Sequence, residues 1–240
     1  VRQLEEDLDA ALRPRPPVSP AERAMRALVG TAARVRERGV AGMLSSSLDD
    51  LAAWASDEQS DILQVAAPDG TVTLLFSDIE DSTALNDRLG DKAWVRVLAA
   101  HDALVRAMVD KRRGRVVKTA GDSFMVAFRD PVAAVLAARG IQRALARTLD
   151  PRLRLTPVRV RIGVHTGTVI SRDGDYFGRN VSMAARVAAL ADGGEVLVTQ
   201  AVRDETSESG DRRMRFEEAG TVELKGLPGE HDLWRLVVET

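Results

Sequence analysis

Two aspartates, Asp78 and Asp122, stand beside apolar segments and have the chemistry of divalent-metal ligands. Asp78 directly follows the apolar run Thr71–Ser77, and Asp122 lies in a short turn between two further apolar segments. Carboxylates are hard oxygen ligands that suit Mg²⁺ or Mn²⁺. A pair that shares two metals about 3.5–4 Å apart suits phosphoryl chemistry. A helix beginning near Ser82 and Thr83 would add free backbone N–H groups that favour phosphate oxygens.

Each aspartate also has a plainer interpretation. Asp78 could serve as the cap of the helix that follows it, although Asp81 and Ser82 are equally good capping residues. Asp122 could be an ordinary turn residue, because Gly-Asp pairs are common in turns. Taken one at a time, the two residues leave these alternatives open.

The residues before the first apolar run have a different pattern from the rest. We assign residues 1–67 to an N-terminal helical segment and residues 68–240 to the main domain. Helix-breaking prolines at Pro14–Pro17 separate a short leucine-spaced stretch from predicted helices over Ser19–Arg38 and Leu44–Gln64. This segment could be a regulatory or dimerisation arm, or a structural collar.

After residue 70, predicted strands alternate with predicted helices, which indicates an α/β sandwich with helices against a sheet. The predicted strands are Thr71–Ser77, Gly114–Thr119, Ser123–Phe128, Val158–Val164, Glu195–Thr199 and two closing strands within Met214–Leu224 and Asp232–Val238. The predicted helices are Ser82–Leu89, Lys92–Lys111, Pro131–Leu149 and Arg179–Leu190, with a turn or short strand at Asp175–Gly178.

Composition excludes several classes of protein. The 34 basic and 36 acidic residues give a net charge of −2, which argues against a general nucleic-acid or anionic-membrane surface. No apolar run approaches the roughly 18 residues of a membrane span. The absence of cysteine excludes disulfides and zinc–thiolate sites. A cytoplasmic protein fits best, and the start at Val1 leaves open a fragment of a longer, membrane-associated protein.

Four motifs together resemble the catalytic domain of class III nucleotidyl cyclases. They are Phe76–Ile79, Lys118–Met125, Arg161–Gly167 and Asp175–Arg186, and they occur in the order found in that family. The resemblance covers about residues 70–240. It implies a ferredoxin-like, palm-type α+β sandwich, in which a mainly antiparallel sheet packs against helices.

The resemblance implies a role for each matching residue around the phosphates. Asp78 and Asp122 match the metal-binding aspartates, with Mg²⁺ or Mn²⁺ as cofactor, two ions per site. Arg186 matches the arginine that stabilises charge on the α-phosphate. Arg161 matches an arginine that contacts the polyphosphate in some members, and Lys225 more weakly resembles a lysine that reaches the terminal phosphates. The other substrate-binding positions implied around the first aspartate are Phe76, Ser77, Ile79, Ser82 and Thr83.

Purine recognition is assigned by resemblance to Lys118 and Asp175. Adenine offers an acceptor at N1 and a donor at its amino group, so a lysine–aspartate pair is complementary to it. Guanine presents the reverse pattern, and guanylyl members of the family tend to use Glu and Cys. Each residue alone could instead be a solvated lysine or a loop acid. The pair favours ATP over GTP.

One position departs from the family pattern. Four residues before Arg186, where the family usually has an asparagine that positions the ribose, this chain has Ser182. Serine is shorter and has fewer hydrogen-bonding atoms. Asn180 lies about 200° away around a helix and is not a substitute. We therefore expect reduced or Mn²⁺-dependent turnover.

The implied function is an adenylyl cyclase that converts ATP to 3′,5′-cyclic AMP and pyrophosphate by two-metal catalysis. In the family, one subunit supplies the metal aspartates and the other supplies the purine-binding pair and the arginine, which implies a homodimer with two composite sites. The alternatives are a catalytically weakened regulatory homologue, a guanylyl cyclase, and a palm-type polymerase or dinucleotide cyclase. Of the three histidines, His165 is predicted to be structural, His101 to lie in a surface helix, and His231 to lie beside a turn.

Overall fold

A computed structural model describes residues 65–168, 175–211 and 213–239 of the chain, without the side chains of residues 175–177. The helices predicted before residue 65 lie outside the described residues. Within the described part of the chain, each helix is too short or too polar to cross a lipid bilayer.

The described residues form seven strands and six helices. The strands are β1 (Thr71–Ile79), β2 (Arg115–Ala120), β3 (Ser123–Phe128), β4 (Val160–Thr168), β5 (Val196–Thr199), β6 (Phe216–Glu223) and β7 (Glu230–Leu236). The helices are α1 (Ser82–Leu89), α2 (Asp91–Asp110), α3 (Pro131–Ala146), α4 (Pro151–Leu155), α5 (Asp175–Leu190) and α6 (Gln200–Ser207).

The seven strands form one sheet in the order β2-β3-β1-β4-β5-β7-β6. All neighbours are antiparallel except β4 and β5, which run parallel. The prediction of a mainly antiparallel sheet packed against helices is confirmed. Strand β1 lies between β3 and β4, so residues at its end are flanked by side chains from two neighbouring strands.

Alternate residues of β1 face two different helical layers, as the period of a strand requires. Leu75 and Ile79 pack in the larger core with α2 and α3. Leu74 and Phe76 pack on the opposite face against α5. Both faces of β1 are buried, which explains why its sequence is an almost continuous apolar run rather than an alternating one.

Helix α5 lies very close to the sheet, and Gly163 of β4 makes this possible. A Cβ atom at Gly163 would lie 2.1 Å from the backbone nitrogen of Ala188 and 2.8 Å from the carbonyl oxygen of Ala184. Gly163 pairs with Phe76 in the neighbouring strand, so the helix crosses directly over the middle of the sheet. A small-residue helix face and a glycine therefore set the distance between α5 and the sheet.

We expect Gly163→Ala to lower the free energy of unfolding by about 3 kcal/mol, because the added methyl group would overlap the backbone of α5. Gly178→Ala is the matched control, since a Cβ atom there meets nothing within 4 Å. That control should match or exceed wild-type stability by up to about 1 kcal/mol, since alanine has the higher helix propensity. Urea unfolding of both variants measures the difference, and equal stabilities would contradict the close approach.

Three local predictions were wrong. Asp175–Gly178, predicted as a turn or short strand, forms the first turn of α5. Helices α4 and α6 were not predicted, because each is too short to show a clear helical period.

The third error concerns His101, which was predicted to lie in a surface helix. Its exposed fraction is 1%, and it belongs to the buried stripe of α2 with Trp94, Val97 and Val105. Its ring packs edge-on against Phe124 at a centroid distance of 5.7 Å. Burial lowers the pKa of His101 to about 4, so the imidazole is neutral at physiological pH.

Stability should consequently fall on acidification. The pKa of His101 is lowered from 6.5 to about 4 on folding, so the unfolded chain takes up the proton first as the pH drops. The part of the unfolding free energy that comes from burying His101 in its neutral form is complete above pH 6.5 and is lost between that value and about pH 4. We expect His101→Leu to reduce the slope of unfolding free energy against pH by about 1 kcal/mol per pH unit between pH 5 and 7, since a full proton of difference would give about 1.4. Urea titrations from pH 5 to 7 test this, and an unchanged slope would contradict it.

Candidate active site

A row of three polar residues crosses the sheet at the end of β1. Ser123 of β3 donates a hydrogen bond of 2.7 Å from Oγ to Oδ1 of Asp78, and Arg161 of β4 forms an ion pair with Oδ2 of Asp78. Asp78 is 4% exposed and stands directly opposite Arg161 in the strand register. The antiparallel pairing on both sides of β1 thus brings a donor and a cation to one buried carboxylate.

Asp122 lies next to this row, in the turn between β2 and β3. Its Oδ2 accepts a hydrogen bond of 3.0 Å from the backbone N–H of Ile79, the residue after Asp78. Burial, followed by the negative charge of Asp78, raises the pKa of Asp122 well above its usual value. The turn interpretation of Asp122 is therefore correct but incomplete, because its side chain joins the hairpin to the end of β1.

The donor set formed by Asp78 and Asp122 fits a hard divalent cation. Two carboxylates at close quarters are mutually destabilising, and a cation bound between them removes the repulsion. Among the described residues, no cluster of three or more His, Cys, Asp or Glu side chains could hold a metal. Two carboxylates alone are the usual protein share of a Mg²⁺ site that also uses water and substrate phosphates.

The capping interpretation of Asp78 does not agree with the structure. The residue that caps α1 is Asp81, in a left-handed conformation with φ 53°, and no side chain makes a capping hydrogen bond there. Both oxygens of Asp78 instead point to Ser123 and Arg161. Asp78 is therefore held by the sheet.

The residues around Asp78 differ in what they could offer a substrate. The side chains of Phe76, Ser77 and Ile79 are at most 1% exposed, so any contact they make with a nucleotide would use backbone atoms. Ser82 and Thr83, in the first turn of α1, are half-buried.

Lys118 lies on β2 at a bulge. The register of β2 against β3 shifts between Val116 and Lys118, so that Lys118 stands opposite Met125. Met125 packs on the α5 face of the sheet, which is also the face of Asp78 and Ser123. Lys118 is half-buried there.

The remaining predicted residues lie on α5 and in a distant turn. Ser182 and Arg186 are one helical turn apart on α5 and both are half-buried, whereas Arg179 is exposed. Asp175 is the first residue of the same helix. Lys225 is exposed in the turn between β6 and β7. The structure thus brings Asp78, Asp122 and Arg161 together and carries Ser182 and Arg186 on one helix.

Two residues that make structural contacts here, Ser123 and Glu80, were not predicted from the sequence. Ser123, which binds Asp78, could have been suspected because it directly follows Asp122. Glu80 accepts a 2.8 Å hydrogen bond from the backbone N–H of Gly193 and pairs with Arg159 at 3.2 Å. Glu80 therefore ties the chain just after Asp78 to the loop that follows α5, a long-range contact without a sequence signal.

Comparison with known proteins identifies the domain. A sequence model of the adenylate and guanylate cyclase catalytic domain matches residues 65–238. The receptor-type adenylate cyclase ESAG 4 of Trypanosoma brucei brucei is 32% identical over 208 residues, which cover 70% of this chain and 17% of that protein. The receptor-type adenylate cyclase B of Leishmania donovani is 34% identical over 214 residues, covering 71% of this chain and 16% of that protein.

A solved structure agrees in fold. It is of an adenylate cyclase from Trypanosoma brucei in the monomeric state, with a TM-score of 0.61 and 31% identity, and the match covers 71% of this chain and 90% of the other. The chain spans only 17% of the length of the first curated relative. The matched region nevertheless includes the whole described sheet and the residues around Asp78. The chain belongs to the adenylate and guanylate cyclase catalytic domain family.

Proposed function

We propose that this chain is the catalytic part of an adenylate cyclase, which converts ATP to 3′,5′-cyclic AMP and pyrophosphate. The observation that carries the proposal is the pair of carboxylates, Asp78 and Asp122, held together at the end of β1 within a domain of the cyclase family. The curated relatives named above are adenylate cyclases, which supports ATP as the substrate.

In the proposed reaction the 3′-hydroxyl of ATP attacks its own α-phosphate. Asp78 and Asp122 would hold two Mg²⁺ or Mn²⁺ ions. When bound, such ions lower the pKa of the attacking hydroxyl and neutralise the triphosphate. Asp122 must be deprotonated to act as a ligand, and a bound cation would oppose the burial and the Asp78 charge that raise its pKa.

The other residues act on the substrate directly. Arg186 is assigned to the α-phosphate, where a fixed positive charge stabilises the charge that develops in the transition state. Lys118 and Asp175 are assigned to the acceptor and donor edges of adenine. Arg161 is assigned to the polyphosphate, and its guanidinium has N–H donors besides those on the nitrogen that contacts Asp78. Ser182 is assigned to the ribose.

We further propose that the active species is a homodimer with two composite sites. Asp78 and Asp122 of one subunit would face Lys118, Asp175, Ser182 and Arg186 of the other. One similar cyclase has been solved in its monomeric state, so oligomerisation has to be measured together with activity. Residues 1–67 are proposed to be a regulatory or dimerisation arm. An ATP-consuming domain of this kind is expected to work in the cytoplasm, as part of a longer protein like its receptor-type relatives.

A direct assay tests the proposed activity. The purified chain is incubated with ATP or GTP, in Mg²⁺ or Mn²⁺, and the cyclic nucleotides are quantified for residues 1–240 and residues 68–240. We expect cyclic AMP to exceed cyclic GMP, with the higher rate in Mn²⁺. The converse nucleotide preference would identify a guanylate cyclase. Binding of ATP without any cyclic product would favour a catalytically weakened regulatory homologue, for which Ser182 is the supporting observation.

A further inference from the structure

The side chain of Asn180 joins the first half of α5 to the end of β4 through hydrogen bonds. Its Nδ2 donates a hydrogen bond of 2.7 Å to the carbonyl oxygen of Thr168, and its Oδ1 lies 3.1 Å from Nε2 of His165. The close contact between Asn180 and β4 depends on Gly167, because a Cβ atom there would lie 2.6 Å from Oδ1 of Asn180. Both polar ends of Asn180 are therefore bound to β4, and its side chain points away from the position that Ser182 occupies on the helix.

The hydrogen bonds around His165 form a chain with a fixed direction. The carbonyl of Thr168 can only accept, so Asn180 must present Nδ2 to it and Oδ1 to the histidine. Nε2 of His165 is therefore the protonated nitrogen. Nδ1 must then accept, and it lies 3.0 Å from Oγ1 of Thr199. The chain runs from Thr199 through His165 and Asn180 to Thr168. We call these four residues the α5 tether.

The surroundings keep His165 in one protonation state. Burial lowers the pKa of His165 to about 4, so the ring is neutral at physiological pH. Thr199 is 6% exposed, which leaves its hydroxyl little access to water. A neutral imidazole with a bound partner on each nitrogen retains one tautomer and one ring orientation.

The face of α5 that packs on the sheet is apolar and contains Val181 together with Ala184, Ala185 and Ala188. These residues pack against Leu74 and Phe76 of β1, and the backbone of Ala184 and Ala188 lies over Gly163 of β4. Small, smooth side chains interact without directional preference. Hydrogen bonds depend steeply on angle. The α5 tether therefore adds directional hydrogen bonds to the apolar packing of this face.

We propose that the α5 tether positions Ser182 and Arg186 for the cyclase reaction, by setting the rotation of α5 against β4. Asn180 precedes Ser182 by two residues and Arg186 by six on the same helix. The proposal rests on the function proposed above, in which these two residues contact ATP. Asn180, His165 and Thr199 are positioning residues, because they act on the substrate through the helix.

Two variants and a control test the effect of the α5 tether on kcat and KM. Asn180→Ala removes both bonds to β4, and Thr199→Val removes one hydroxyl while preserving shape. We expect each to lower kcat by about 10- to 100-fold, since misplacing a reacting group by about 1 Å costs that much. KM for ATP should stay within about threefold, because ground-state contacts persist. Thr221→Ala, which removes an exposed 2.6 Å hydrogen bond to Asp232, is the matched control and should leave both parameters unchanged.

A double-variant cycle separates positioning from general weakening. If the tether is one unit, Asn180→Ala with Thr199→Val should lower kcat no more than the worse single variant. Thr199→Ser, which keeps the hydroxyl, should restore kcat to within about twofold of wild type. Multiplicative losses in the double variant, or a kcat unaffected by Asn180→Ala in a folded dimer, would overturn the proposal.

A spectroscopic measurement is independent of activity. ¹⁵N chemical shifts of residues 1–240 should show the Nε2–H tautomer for His165 at neutral pH, and loss of that preference in Asn180→Ala. Amide hydrogen exchange in α5 should accelerate in that variant but not in Thr221→Ala. If wild-type chain makes no cyclic nucleotide, the proposed function fails while these readouts still report the tether. An Nδ1–H tautomer would overturn the tether itself.

Discussion

A mixture of Asp78→Ala and Arg186→Ala chains is expected to recover about one quarter of wild-type cyclase activity, although each variant alone is inactive. Random exchange of subunits makes about half of the dimers mixed, and each mixed dimer has one intact site of two. Each variant alone should lose at least about 1,000-fold in kcat, because a metal ligand or a transition-state charge is missing from both sites. Cyclic AMP formation after mixing at equal concentration measures the recovery.

The control for this experiment combines two substitutions that damage the same half of each composite site. Asp78→Ala mixed with Asp122→Ala should remain inactive, since both substitutions damage the carboxylate pair and every site in a mixed dimer retains at least one defect. Sedimentation must show that all variants associate as the wild type does. Recovery in the control mixture, or none in the Asp78→Ala and Arg186→Ala mixture of verified dimers, would exclude composite sites.

Ser182→Asn is expected to raise kcat by about 10- to 100-fold, because the longer amide side chain can hold the ribose that serine does not reach. The structure makes this substitution well suited to a test, since Ser182 is half-buried on α5 and Asn180 is already bound to β4. The gain should be larger with Mg²⁺ than with Mn²⁺. Steady-state kinetics with both metals provides the measurement.

Ser182→Ala is the matched comparison for this gain. It removes the hydroxyl without adding reach, so it should lower kcat or leave it at the wild-type level. If Ser182→Asn has the same kcat as wild type while Ser182→Ala is impaired, the serine hydroxyl already orients the ribose, and the expectation of weakened turnover is wrong.

The order of strands and helices could be read from the sequence because it depends on local patterns. The apolar run of β1 and the proline that begins α3, Pro131, are signals within a few residues. The first turn of α5 was mistaken for a turn or strand because Asp175–Gly178 contains a glycine and two aromatic residues, which are poor helix formers. Packing on the sheet overrides that preference.

Contacts between distant residues account for what the sequence could not reveal. Arg161 was assigned to the polyphosphate by resemblance, and nothing in its neighbourhood indicated that it would pair with Asp78, 83 residues away in sequence. The burial of His101 has a visible signal in its helical spacing from Trp94 and Val97, although histidine is less often fully buried than an apolar residue. The close approach at Gly163 depends on backbone atoms of Ala184 and Ala188, which carry no sequence-specific cue.

The bulge in β2 links the residue proposed to bind the purine, Lys118, to solubility. β2 is the outermost strand on one side of the described sheet, and an unpaired edge of this kind can recruit other chains into aggregates. The bulge next to Lys118 and the charges of Arg115 and Lys118 are the usual protections of such an edge. A substitution of Lys118 that tests its proposed contact with the purine also alters this protection. Colloidal behaviour of such variants should therefore be compared with wild type before any difference in rate is attributed to nucleotide recognition.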